Sequence, residues 1–144
     1  MKLAILNARI IDTKNNLDEV GGILINEKGL IEACGKNVTK DTVGESKIYD
    51  CKNKLAIPGI IDARVFVGEP GYEYKENYRT LSQAAISGGV TSVVTMPNTD
   101  PIIDDVSTFD FIKRRARDKS LIKIHSLASL TKNLMEMKLL NLGC

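Results

Sequence analysis

The sequence is poor in the residues that build metal and redox sites. Its 144 residues include a single histidine, His125, so a zinc site made from several imidazoles is excluded within this sequence. The three cysteines, Cys34, Cys51 and Cys144, form no C-x-x-C pair. Neither a zinc knuckle nor a redox dithiol is therefore indicated, and reduced thiols in a reducing compartment are the simplest interpretation.

Long apolar runs and an excess of one charge are also lacking. No stretch approaches the ~18 apolar residues of a membrane span. The apolar run at positions 3–6 ends at Asn7, too early for a signal peptide, so we expect a cytoplasmic protein. Twenty Lys and Arg against 18 Asp and Glu leave a net charge of +2, which predicts neither nucleic acid nor a membrane as a partner. Hydrophobic residues make up 43% and charged residues 26%, as in a folded globular protein.

Residues 1–57 have the pattern of short strands separated by turns. Turns are predicted at Asn15-Asn16, at Gly21-Gly22 and over 26–29, where Gly29 would supply the positive φ of a hairpin turn. The pattern predicts a small, β-rich antiparallel domain over 1–57.

From Pro58 onward the pattern changes to alternating strands and helices. Strands are predicted over 60–67, 91–96 and 121–127, and helices over 72–87, from 104 to 117 and over 134–142. This alternation predicts a parallel α/β sheet or barrel. A (β/α)8 barrel needs eight such units and about 250 residues. We therefore interpret 58–144 as the first three βα units of a barrel whose chain is truncated.

One segment carries a family resemblance. Residues 58–71 read PGIIDARVFVGEPG, which resembles the P-G-x-I-D-x-H-x-H pattern of the amidohydrolase superfamily. The Glu-Pro-Gly at 69–71 with Lys75-Glu76, the GGVT at 88–91 and the MPNT at 96–99 resemble dihydroorotase in particular. The resemblance implies an α/β fold: the N-terminal portion of a (β/α)8 TIM barrel, preceded by a small β-rich composite domain.

The resemblance also implies a chemistry whose residues are changed here. Active family members hold zinc through the histidines of H-x-H, and the zinc-bound water opens or closes the cyclic amide of dihydroorotate. Those two positions are Arg64 and Phe66, neither of which offers a ligand atom to zinc. The family's arginine for the substrate carboxylate is Gly68, and only Asn98 of MPNT remains as a candidate substrate-binding residue. We therefore predict no catalytic residue, no metal ligand and no zinc in this chain.

Three functional hypotheses follow. The favoured one is a non-catalytic dihydroorotase-like protein of de novo pyrimidine biosynthesis, a partner or scaffold of aspartate carbamoyltransferase in an oligomeric assembly. Some of these transferases assemble with such metal-free homologues, which the sequence resembles. The second is an active zinc-dependent cyclic amidohydrolase, making N-carbamoyl-aspartate from dihydroorotate, for which Asp62, Glu69 and His125 are the nearby candidate ligands. The third is a truncated, non-functional fragment.

Several single residues carry two interpretations each. The Arg64 guanidinium either neutralises acidic groups at the vacated metal position or is an ordinary arginine at a barrel mouth. Phe66 is interpreted as packing that fills the old site, rather than as a stacking group for substrate. His125 is interpreted as a core or rim histidine. The basic run 113–117 is either a docking patch or a solvated helix end, and the helix dipole favours the second.

Overall fold

The structure, a computed structural model, describes residues 1–135. They form two compact units, which divide between Pro58 and Gly59. None of the helices in the described part of the chain has the length and hydropathy needed to cross a membrane.

The first unit is a five-stranded mixed sheet. Its strands are β1 (Lys2–Asp12), β2 (Leu17–Ile25), β3 (Ile31–Gly35), β4 (Ser46–Asp50) and β5 (Leu55–Ala56). The strand order in the sheet is β3-β2-β1-β4, and β5 also pairs with β1. The pairs β1–β2 and β2–β3 are antiparallel. Strands β4 and β5 run parallel to β1, so the prediction of a purely antiparallel unit is wrong. The segment after β3 crosses over instead of returning as a hairpin.

Two glycine predictions for this unit have different outcomes. Gly29 has φ +77° in the turn between β2 and β3, so the predicted hairpin turn is confirmed. Gly21 and Gly22 lie inside β2, so the turn predicted there is wrong. A Cβ on Gly21 would collide with the backbone of Gly35, and one on Gly22 with the carbonyl oxygen of Val38. Close approach of neighbouring backbone explains these glycines.

The second unit is a parallel three-stranded sheet with two helices. Its elements are β6 (Ile60–Val65), α1 (Tyr78–Ser87), β7 (Val90–Thr95), α2 (Val106–Lys119) and β8 (Lys123–Ser126). The strand order is β6-β7-β8, and both pairs are parallel. The predicted βα alternation is therefore confirmed. The third predicted helix falls almost wholly outside the described residues, which end after a short 3-10 turn at Lys132–Leu134.

Side-chain caps determine where the two helices begin. The predicted first helix starts too early, because residues 72–77 form a turn and irregular backbone and Asn77 is the N-cap of α1. Its side chain accepts from the backbone N–H of Thr80 at 3.1 Å, and the Thr80 hydroxyl accepts from the backbone N–H of Asn77 in return. Asp105 caps α2 by accepting from the backbone N–H of Thr108 at 3.0 Å. The Thr108 hydroxyl also donates to this carboxylate, at 2.6 Å. That bond, together with those from the Thr108 backbone and from Ser107, lowers the pKa of Asp105 to about 2.

The core of the second unit lies between the helices and one face of the sheet. It consists of buried side chains from both helices, from β7 and from the connecting loops, namely Val67, Tyr78, Leu81, Val93, Ile103, Ile112 and Ala116. Strand β6 is exposed from Ile60 to Arg64. The core therefore lies on the face of this sheet that α1 and α2 cover.

Candidate functional site at the end of β6

Strand alternation places Arg64 and Phe66 on the side of β6 away from the core. Val65 packs against the core, and Val67 is fully buried within it. Because successive side chains of an extended strand point to opposite faces, Arg64 and Phe66 point away from the helices. Both are exposed, and the exposed fraction of Phe66 is 42%.

The Arg64 guanidinium has no acidic partner within residues 1–135. The backbone N–H of Arg64 donates to the Asp62 carboxylate at 3.1 Å, but no described carboxylate lies within salt-bridge distance of the guanidinium. The described residues therefore favour the ordinary solvated arginine over a cation that neutralises acidic groups.

Phe66 begins an aromatic cluster that sequence reasoning missed. Its ring centroid lies 6.4 Å from that of Tyr72, which lies 6.5 Å from that of Tyr74. Lys75 Nζ lies 4.9 Å from the Tyr72 centroid and 5.5 Å from the Tyr74 centroid. These distances fit aromatic pairing and a cation–π contact. The Phe66 ring therefore contacts its own loop, and that it fills a former metal site stays a prediction. The two tyrosines just beyond the Glu-Pro-Gly motif were the available signal for the cluster.

Gly68 is enclosed by the backbone of the same loop. It is buried, and its carbonyl accepts from the backbone N–H of Tyr72. A Cβ at this position would collide with the carbonyl oxygen of Tyr72 and lie 2.7 Å from that of Glu76. No side chain, and hence no arginine, fits at Gly68 in this loop conformation.

Glu69 is buried and fully engaged. Its exposed fraction is 3%, and its carboxylate accepts from the Tyr78 backbone N–H at 3.1 Å, from Arg115 Nε at 2.7 Å and from Arg115 Nη2 at 2.5 Å. The carboxylate thus lies at the N-terminus of α1, where the helix dipole favours negative charge, and joins the loop to α2. Burial, with the Glu69 charge, raises the pKa of the Tyr78 hydroxyl to about 12. Glu69 is therefore a structural residue in this arrangement.

The remaining candidate residues are not brought together. Asn98 follows β7 and is exposed, while His125 is exposed on β8. His125 was interpreted as a core or rim histidine, and in the described residues the core contacts come from Ile122 and Ile124 instead. The core alternative is therefore not found there, and the rim alternative stays a prediction. Within residues 1–135, no group of three His, Cys, Asp or Glu side chains could hold a metal ion. Asp62, Glu69 and His125 do not form a common site.

A β-rich unit is thus followed by a parallel βαβαβ unit, which is the kind of unit that begins a (β/α)8 barrel. The chain is similar in fold to an L-hydantoinase (dihydropyrimidinase) from Arthrobacter aurescens, with a TM-score of 0.77 at 20% identity over 91% of this chain and 28% of that one. A D-hydantoinase gives a TM-score of 0.69 at 22% identity, over 92% and 28% of the two chains.

Sequence comparison gives the particular family. The model of the dihydro-orotase-like family matches residues 53–138, and the chain belongs to that family. It is 38% identical to the dihydroorotase of Ehrlichia canis over 143 residues, which cover 96% of this chain and 32% of that protein. It is 41% identical to the dihydroorotase of a Wolbachia strain from Drosophila simulans over 142 residues, with the same coverages. The chain thus spans about a third of the length of these relatives.

Proposed function

We propose that this chain is a non-catalytic dihydroorotase-like protein that acts as an assembly partner of an aspartate carbamoyltransferase in de novo pyrimidine biosynthesis. The observation that carries the proposal is the donor chemistry at the end of β6. Arg64 and Phe66 stand where the family pattern has its first two histidines. A guanidinium is cationic and a phenyl ring has no lone pair, so neither can replace an imidazole on zinc.

The local packing supports the proposal that this loop binds neither zinc nor the substrate carboxylate. The Phe66 ring is engaged with Tyr72, and the backbone around Gly68 leaves no room for the arginine that would hold a substrate carboxylate. Glu69, an acidic candidate for an unusual metal arrangement, is bound to Arg115 and to α1. The residues of this loop do not fit a zinc centre.

The described part of the second unit is well packed around this loop, which supports a role in assembly. The capping box of α1, the Asp105 cap of α2, the buried core and the Glu69–Arg115 pair are all present. A protein that keeps its scaffold while its chemical groups change is suited to act through its surface. We expect its complex with the transferase to be oligomeric.

Sedimentation with the transferase of the same organism tests the proposal. The 144-residue chain is expected to co-sediment with it as a defined complex, and bovine serum albumin at equal concentration serves as the control. A chain that stays separate from the transferase at micromolar concentrations would overturn the assembly role.

Zinc content and turnover form the second arm of the test. We expect elemental analysis to find no stoichiometric zinc in protein purified without added metal, and no turnover of dihydroorotate. Stoichiometric zinc together with turnover would reject the non-catalytic assignment in favour of an active cyclic amidohydrolase. The two arms are independent, because an active enzyme can also bind the transferase.

A further inference from the structure

No further inference is drawn: the strongest candidate, the cavity of about 240 Å³ between the loop after β6, the start of α1 and the second half of α2, belongs to the site already described, because Glu69, the one buried charged residue among its described lining residues, is bound to Arg115 and to the backbone N–H of Tyr78.

Discussion

The two sides of the segment from β6 into its loop differ sharply in how they are held. On the core side, Val65 and Val67 pack with the helices, and the Glu69 carboxylate is bound to Arg115. On the other side, Arg64 and Phe66 are exposed, and Phe66 touches only its own loop among the aromatic contacts of the described residues. The core side is held by packing and by a buried ion pair, while the side chains on the other side, Arg64 and Phe66, offer no ligand atom for zinc. Stability and chemistry are thus separable in this segment.

Removal of Arg115 should have the largest effect on the core side. Arg115→Met leaves the Glu69 carboxylate buried without its partner, and breaking such a pair costs about 3 kcal/mol of unfolding free energy. Urea unfolding followed by circular dichroism measures the loss. Arg117→Met on the same helix is the control and should cost under about 0.5 kcal/mol. Equal losses in the two variants would show that the buried pair does not hold the loop.

A side chain at Gly68 should have the next largest effect. Gly68→Ala places a methyl group against the backbone carbonyls of Tyr72 and Glu76, so about 2 kcal/mol of destabilisation is expected. Gly88→Ala is the control, because a methyl group there would meet only ordinary van der Waals contacts. Gly44→Ala would not serve, because Gly44 has a positive φ that strains any other residue. Unfolding of the two alanine variants in urea checks the difference, and a Gly68→Ala protein as stable as Gly88→Ala would contradict the enclosed loop.

Restoring histidines on the exposed side should cost little. Arg64→His with Phe66→His removes one aromatic contact and no described ion pair, so the expected change in unfolding free energy is under about 1 kcal/mol. No turnover of dihydroorotate is expected, because Gly68 stands where the family resemblance implies an arginine for the substrate carboxylate. Measurable turnover by this variant would mean that the two histidines alone separate this chain from an active hydrolase.

The cap of α2 should produce the smallest effect, visible through pH. The pKa of Asp105 is lowered from its ordinary value of 3.8 to about 2, so the folded state favours the charged carboxylate. Its contribution to stability is present above about pH 4 and disappears as the pH falls toward 2. Asp105→Ser keeps a capping oxygen that does not titrate. The stability difference between wild type and this variant should shrink over that pH interval, and a constant difference would refute the role of the charged cap.

Local patterns in the sequence predicted much of the second unit. The β-branched run at 91–96 corresponds to β7, and Gly88-Gly89 ends α1 as predicted, with Gly88 at the C-cap and Gly89 at φ +80°. The early start of the first helix was wrong because the reciprocal bonds of Asn77 and Thr80 outweighed the apolar spacing before them. Periodicity reports the face of an element well and its ends poorly.

At the candidate site, too, some features could be predicted from the sequence and others could not. That Arg64 and Phe66 offer no ligand atom to zinc was readable directly, because ligand chemistry belongs to the side chain itself. The engagement of Phe66 with Tyr72 and the enclosure of Gly68 depend on how the loop folds back after β6. Patterns in a single sequence do not predict how this loop folds back.

The sequence by itself determined the alternation of strands and helices after Pro58, the family resemblance and the donor chemistry available at the end of β6. All of these depend on residue type and on neighbours a few positions away. Only the tertiary structure decided that β4 and β5 run parallel to β1 and that Glu69 meets Arg115 across 46 positions. Such contacts join residues distant in sequence, and packing of the whole unit selects them.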